Sequence, residues 1–368
     1  MGHPGIGDVE VYLRSLYGEG VKLLDFSPLL GEGVEGVEEL KAFGYGIPYK
    51  VVFVVEGEKR EAVLSTMRLE GGFGHDFRSD RAQNLILAYD TWNRLPRHAK
   101  VYDLGAFTKD GKLISLGDVE EFFLLREMVE GEEYYKDLDR IYETGELTDL
   151  DRRRAEALSE YLVEIHRVKV EDRPELYIRK IRDTVGHGEC IFGLSDSYPR
   201  GVEFLREGEL EEIEKKCVEH RWRLRDKTHR LTQVHGDYHP WNVLFRENTD
   251  FLLLDRSRGE FGEPADDLAA MAINYIFYSI RKYGRLEGGF QELFHIFMDH
   301  YLSGTGDKEI LEALPLFFTF RCLVIASPIW YPNLTLETRR KIFNFIHNIL
   351  DEERFNPDKV NDYLEMKP

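Results

Sequence analysis

The sequence predicts an α+β fold in which a small β-rich part precedes a larger, mainly helical part. The chain has 368 residues, which exceeds the usual size of a single hydrophobic core, so two lobes are expected. Strand-like runs are concentrated before residue 130, whereas apolar residues recur at helical spacing from about residue 150 onwards. We therefore predict an N-terminal lobe at 1–130, ending in a connector near 125–132, and a C-terminal lobe at 131–368.

The first lobe is expected to begin with a short amphipathic helix near residues 8–18. The runs YKVVFVVEG and KREAVLSTMRL then predict two strands joined as a hairpin across Glu56–Lys59. A glycine-rich loop, EGGFGHDF, precedes a helix in SDRAQNLILAYDTWNRL, which has acidic residues at its start and apolar residues at helical spacing. Two further strands are expected in KVYDLGAF and GKLISLG, and EFFLLREMVEG predicts a strand that runs into the connector.

The second lobe is predicted to be helical around one strand–loop–strand segment. Helices are expected in RRRAEALSEYLVEIHRV, over about 208–230, and from Pro264 to near the end of the chain. The stretch 185–199 is glycine-rich and predicts an irregular insertion. The apolar stretch 313–332 has the length of a membrane span but carries Arg321 near its middle, so it is interpreted as a buried helix.

Composition narrows the class of protein. The formal net charge of −19 argues against a nucleic-acid partner, which requires a basic surface. Three cysteines lie far apart in the sequence without metal-ligand spacing, which is typical of reduced thiols in a cytoplasmic protein. The first residues contain no basic region followed by an apolar run, so we expect no signal peptide and no membrane partner.

The segment VHGDYHPWNVLF, residues 234–245, carries the chemistry. Asp237 precedes Asn242 by five residues, and Asp255 follows thirteen residues later at the end of an apolar run. This order suits phosphoryl transfer, in which one carboxylate orients and deprotonates a hydroxyl while an amide and a second carboxylate hold the Mg²⁺ that bridges the nucleotide phosphates. The protein kinase signature H-R-D-x-x-x-x-N has the same spacing, with Gly236 here in the arginine position.

These motifs resemble those of the aminoglycoside phosphotransferase and choline kinase family, whose members have a protein-kinase-like two-lobe fold. The resemblance is carried by HGDYHPWNVLF, by Asp255, by GEPADDLA after it and by LVEIHRV before it. It implies that Asp237 is the catalytic base, that Asn242 and Asp255 are the Mg²⁺ ligands, and that Asp267 is a structural carboxylate at a helix start. It also implies ATP as co-substrate.

The resemblance implies a nucleotide site in the first lobe and the connector. Backbone groups around Glu127 and Val129 would bind adenine. Kinase-like folds place a lysine on the third strand, but REAVLSTMRL has none, so Arg68, or an arginine beside Asp255, is the candidate for the phosphate-binding charge. The glycine-rich segments GEGVEG, FGYGIP and GGFGHDF are alternative phosphate loops.

Three further residues are candidates for supporting or substrate-binding roles. His235 is interpreted as a brace of the loop rather than a catalytic group. His239 is either an exposed loop residue or a substrate contact, and Arg258 lies close in sequence to the metal-binding aspartate.

The predicted function is ATP- and Mg²⁺-dependent transfer of a phosphoryl group to a hydroxyl of a small molecule, with amines and amino sugars as candidate acceptors. Gly236 and the lack of an Ala-Pro-Glu element after Asp255 favour a small-molecule acceptor over a protein. Two alternatives stay open at this stage: an atypical Ser/Thr protein kinase, and a nucleotide-binding pseudokinase or scaffold, which the missing strand lysine suggests.

Overall fold

The computed structural model describes residues 5–28, 48–67, 74–256 and 258–366. The chain divides into two compact units, Met1–Arg126 and Glu127–Pro368. The sequence placed the division at residue 130, inside the predicted connector. Each unit is described by itself.

The first unit packs one helix against a three-stranded antiparallel sheet. Helix α1 spans Ile6–Tyr17, and the strands are β1 Lys22–Pro28, β2 Tyr49–Val55 and β3 Glu58–Leu64, with β2 in the centre. The predicted hairpin is confirmed, because β2 and β3 pair through a two-residue turn at Glu56 and Gly57, both with positive φ. Alternate residues of β2 face α1 and form the small core of this unit.

The rest of the first unit contains helix α2, Arg78–Trp92, and an antiparallel pair, β4 Gly105–Phe107 and β5 Leu113–Ser115. The prediction of a strand in EFFLLREMVEG is wrong, because residues 119–131 are neither helical nor in a strand. The side chains of Phe123, Leu124 and Leu125 are each at least 88% exposed. Their apolar run lacks the alternation of a half-buried strand, and among the described residues no strand pairs with it.

The second unit is mainly helical, and short strands carry its central loop. The helices are α3 Tyr135–Thr144, α4 Asp149–His166, α5 Pro174–Gly186, α6 Ile191–Ser197, α7 Glu209–Leu224, α8 Ala265–Tyr283, α9 Gly288–Thr305, α10 Ile310–Ala326, α11 Leu336–Leu350 and α12 Val360–Leu364. The strands are β6 Glu132–Glu133, β7 Thr232–Gln233, β8 Val243–Phe245, β9 Phe251–Leu253 and β10 Phe261–Gly262. Strands β6, β8 and β9 form one antiparallel sheet, and β7 pairs with β10.

The core of the second unit lies among four helices: α4 packs against α9, α9 against α8, and α8 against α10. Helix α8 is buried from Ala265 to Ile280 almost without interruption and ends at Gly284 in the left-handed conformation that favours glycine. Helix α10 is buried nearly throughout, which confirms the interpretation of this segment as a buried helix. No helix in the described parts of the chain is long and apolar enough to cross a membrane.

Two predictions for the second unit are corrected. The stretch 185–199 is not wholly irregular, because Ile191–Ser197 forms α6, which buries Ile191 and Leu194. Gly193 is required in this helix, since a Cβ there would lie 1.7 Å from the carbonyl oxygen of Gly188. The charged helix α7 ends at Leu224 and is followed by a separate 3-10 turn, so it does not extend to residue 230.

Candidate active site

The predicted catalytic segment forms a loop, residues 235–242, between β7 and β8. Gly236 has a φ of 87°, a conformation that favours glycine. A Cβ at this position would also lie 3.0 Å from the Cβ of Arg258, so the loop passes close to that residue. A 3-10 turn, Pro240–Asn242, closes the loop and leads directly into β8. The loop geometry thus depends on a residue without a side chain.

A buried carboxylate in the first turn of α8 holds the start of this loop. The backbone N–H groups of His235 and Gly236 each donate to Asp267 at 2.7 Å, and His166 Nε2 lies 3.2 Å from the same carboxylate. Burial alone would raise the pKa of Asp267, but the hydrogen bond from His166 and those from the backbone outweigh burial and lower it. Asp267 therefore makes the structural contacts that the family resemblance implied for it.

Asp237 is the predicted catalytic base, and both of its carboxylate oxygens have neighbours. Oδ1 accepts a 2.6 Å hydrogen bond from Arg321, whereas Oδ2 has only longer contacts of 3.4 Å, to His239 Nε2 and Asn242 Nδ2. Burial would raise the pKa of Asp237, but the hydrogen bond with His239 and the charge of Arg321 lower it well below its usual range. Asp237 is therefore ionised at neutral pH.

Arg321 is a site residue that the sequence analysis did not identify. Its side chain projects from α10, and besides Asp237 it binds Asp266 at 2.7 Å and the carbonyl oxygen of Gly236 at 3.3 Å. The signal was present in the sequence, because a lone arginine in an otherwise apolar helix needs buried partners. Which partners it has could not be inferred, since Asp237 precedes it by 84 residues.

The two predicted metal ligands flank the paired strands β8 and β9: Asn242 directly precedes β8, and Asp255 lies two residues beyond the end of β9. The ladder between β8 and β9 continues one step, with Leu254 N donating to Asn242 O at 2.9 Å, so that Asp255 follows directly beyond Asn242. Asp255 is exposed and has a φ of 52°. The Asn242 amide nitrogen donates to the backbone oxygen of Asp237 at 3.0 Å, which leaves the amide oxygen as a ligand.

These oxygen donors fit Mg²⁺, which prefers hard ligands and commonly takes only one or two from the protein. Among the described residues, no group of three or more His, Cys, Asp or Glu side chains is arranged to hold a metal ion. A cation at Asn242 and Asp255 would therefore depend on phosphate and water oxygens for its remaining ligands.

The two histidines of the loop have different surroundings. His235 Nδ1 accepts from the backbone N–H of Asp237 at 3.2 Å, and burial lowers the pKa of this imidazole, so it acts as a neutral brace. His239 is less buried, packs edge-on against Trp241 and approaches both Asp237 and Asn242. His239 is thus placed to contact whatever binds at Asp237.

Arg258 lies beside the loop without a carboxylate partner. Its Nη1 donates to Cys190 Sγ at 3.3 Å, and its guanidinium carbon lies 4.5 Å from the ring centroid of Phe320. Its Nε is buried without a hydrogen-bond partner, and no ion pair of Arg258 is found within the described ranges. The structure therefore brings Arg258 to the loop that contains Asp237 and leaves its charge available.

The structure describes only some of the predicted nucleotide-binding residues. Arg68 lies outside the described residues, as do most residues of the glycine-rich segments. Glu127 is exposed and Val129 half-buried in the irregular stretch 119–131, and no described hydrogen bond joins either to the 235–242 loop. Strand β3 does contain one lysine, Lys59, but it lies exposed beside the hairpin turn and pairs with Glu61 at 3.0 Å. The other basic residue of β3, Arg60, is half-buried, and its guanidinium carbon lies 5.7 Å from the ring centroid of Tyr17.

Comparison with known proteins assigns the family. The sequence profile of the phosphotransferase enzyme family matches residues 52–297, which is more than half of the chain. No curated protein sequence matches significantly.

Several solved structures are similar at low identity. An ethanolamine kinase from Plasmodium vivax is 12% identical over 98% of this chain and 88% of that one, with a TM-score of 0.36. A choline kinase from Streptococcus pneumoniae is 13% identical over 93% and 97%, with a TM-score of 0.32. An amicoumacin kinase is 16% identical over 96% of each chain, with a TM-score of 0.37.

These TM-scores are low, so the assignment rests on the family match. The predicted relationship and the predicted kinase-like α+β fold class are confirmed at the level of the family. The chain belongs to the phosphotransferase enzyme family and is a phosphotransferase.

Proposed function

We propose that the protein transfers the γ-phosphoryl group of ATP to a hydroxyl of a small molecule, with Asp237 as the catalytic base and Mg²⁺ as cofactor. The observation that supports this most directly is the contact of Asp237 with Asn242, whose backbone oxygen accepts from Leu254, the residue before Asp255. Family membership supplies the reaction class. ATP use suggests a cytoplasmic location, where the buried free thiols of the three cysteines would stay reduced.

In this proposal Asp237 orients the acceptor hydroxyl towards the terminal phosphorus. The low pKa of Asp237 makes it a weak base, so its first task is to align the hydroxyl, and it takes the proton as the new O–P bond forms and the bond to ADP breaks. Asn242 and Asp255 would hold Mg²⁺, which neutralises phosphate charge when bound. The neutral His235 keeps the loop backbone in place.

The remaining assignments concern the nucleotide and the acceptor. Backbone groups near Glu127 and Val129 are proposed to bind adenine, and Arg68 to contact phosphate. Arg258 lies beside the loop and has no ion-pair partner among the residues that the structure describes, so its charge suits either a phosphate or an anionic group of the acceptor. His239 lies at the exposed edge of the Asp237 carboxylate and is proposed to contact the acceptor.

The test is ADP formation from Mg·ATP with a panel of amino alcohols, amino sugars and neutral polyols. The wild type should turn over at least one acceptor, and Asp237→Asn should lower kcat by about 10³-fold, within the range for loss of a general base, while keeping nucleotide affinity. Asp299→Asn removes an exposed carboxylate of α9 and serves as the matched control, with unchanged turnover expected. Full activity of Asp237→Asn would contradict the assignment. Labelled phosphate found on protein instead of on the acceptor would identify an atypical protein kinase.

A further inference from the structure

The guanidinium of Arg321 connects three parts of the second unit at the proposed catalytic carboxylate. It binds Asp237 Oδ1 at 2.6 Å, Asp266 Oδ1 at 2.7 Å and the Gly236 carbonyl at 3.3 Å. These partners belong to the 235–242 loop and to the first turn of α8, whereas Arg321 belongs to α10. One side chain thus fixes the loop against two buried helices.

Stability alone does not account for this arrangement. Arg321 is only 7% exposed and lies in a helix that is apolar nearly throughout, so removing its charge from water is costly. Replacing a buried ion pair with apolar groups is often neutral or stabilising. The two carboxylates share the one charge of Arg321, and in the described parts of the chain its Nε is buried without a hydrogen-bond partner. A geometric role explains the arrangement better.

The contacts distinguish the two oxygens of Asp237. Oδ1 has a short, charge-assisted hydrogen bond to Arg321, whereas the contacts of Oδ2 with His239 and Asn242 are 3.4 Å long and easily replaced. Because one oxygen is held, rotation of the carboxylate is restricted. Oδ2 is then the oxygen that is left for an incoming hydroxyl.

We propose that Arg321 is a positioning residue for phosphoryl transfer, which holds Asp237 through Oδ1 so that Oδ2 accepts the hydrogen bond of the acceptor hydroxyl. This inference rests on the proposed function, in which Asp237 is the base. The Nη2 group of Arg321 binds Asp266 and thereby fixes the orientation of Nη1, which binds Asp237. This arrangement requires the planar guanidinium with its two donor nitrogens, and a positive charge alone is insufficient.

The test compares Arg321→Ala and Arg321→Lys with the wild type in the ADP-formation assay. Misplacing a catalytic group by about 1 Å can cost about 10²-fold in rate, so Arg321→Ala should lower kcat by about that factor while the KM for ATP changes by less than about threefold. Arg321→Lys should recover little, because an ammonium cannot bridge both carboxylates with a planar fork. Guanidinium chloride, added well below denaturing concentrations, should restore part of the kcat of Arg321→Ala.

The control is Arg340→Ala, which removes an arginine that pairs with the buried Glu209 on α7 instead of with the loop. It should keep its kcat and show no response to guanidinium. A folded Arg321→Ala with wild-type kcat, or an Arg321→Lys with full activity, would overturn the inference and leave the proposed function standing if Asp237→Asn is inactive. Wild-type turnover by Asp237→Asn would instead refute the proposed function, and the inference with it.

Discussion

Replacing Asp267 with asparagine is expected to destabilise the second unit strongly without changing the size of the side chain. Asp267 is fully buried and accepts two backbone N–H bonds of 2.7 Å, from His235 and Gly236, besides its contact with His166. Asparagine offers a single oxygen, so at least one of the two N–H groups would face an NH₂ group and remain unpaired.

The magnitude follows from the bonds that are lost. A hydrogen bond to a charged group contributes about 1.5–3 kcal/mol, and an unpaired buried donor costs a similar amount. We therefore expect Asp267→Asn to lower the free energy of unfolding by about 2–5 kcal/mol, a large part of the total stability of a typical domain. Urea unfolding followed by tryptophan fluorescence measures this change, since three of the four tryptophans lie in the second unit.

The pH dependence gives a second measurement. The pKa of Asp267 is below its ordinary value, so its stabilisation is present above the unfolded-state pKa of about 3.9 and is lost as the pH falls through the folded-state pKa. The stability difference between wild type and Asp267→Asn should thus be constant near neutral pH and shrink below about pH 4. Asp149→Asn, an exposed helix-start aspartate, is the control and should cost less than about 0.5 kcal/mol. A loss below about 1 kcal/mol for Asp267→Asn would refute the reasoning.

Two further predictions concern other buried contacts. Burial acts to raise the pKa of Glu209, but hydrogen bonds, of which that from His347 is the strongest, lower it to about 2. Glu209→Gln should therefore lower the free energy of unfolding by about 2–3 kcal/mol in urea at pH 7. The difference from the wild type should vanish as the pH falls from about 4 towards 2. Gly236→Ala should lower the Tm and the rate of ADP formation, because left-handed backbone costs about 1–2 kcal/mol for alanine and its Cβ would press on Arg258. Gly201→Ala, with positive φ but no atom nearby, measures the backbone cost alone, and equal losses in the two variants would argue against the contact.

Local sequence patterns predicted the helices and strands that depend mainly on residues close together in the sequence. The hairpin at Glu56–Lys59 depends on a two-residue turn and alternating strands, and α8 on its apolar face, so both could be inferred from the sequence alone. The spacing of Asp237 and Asn242 was informative because phosphoryl transfer constrains it. The helix Ile191–Ser197 was missed because close approach of two glycine backbones, and not composition, permits it.

Arg321 could not be assigned from the sequence for a different reason. Its two carboxylate partners precede it by 84 and 55 residues, and no periodicity links positions so far apart. The sequence indicates only that an arginine in an apolar helix must be compensated. That signal argues against a membrane span but does not identify Asp237 and Asp266 as the partners.

The position of the 235–242 loop is fixed by the helices of the hydrophobic core and not by the short strands on either side of the loop. Consecutive loop residues are bound by three long helices: His235 and Gly236 by α8, Asp237 by α10, and Tyr238, whose hydroxyl donates to the Leu158 carbonyl, by α4. Helix α4 packs against α9, α9 against α8, and α8 against α10, so a shift of any one of them would move the carboxylate of Asp237. Phosphoryl transfer depends mainly on positioning and electrostatics. Core substitutions where α4 packs on α9, α9 on α8, or α8 on α10 should therefore lower kcat before they unfold the protein.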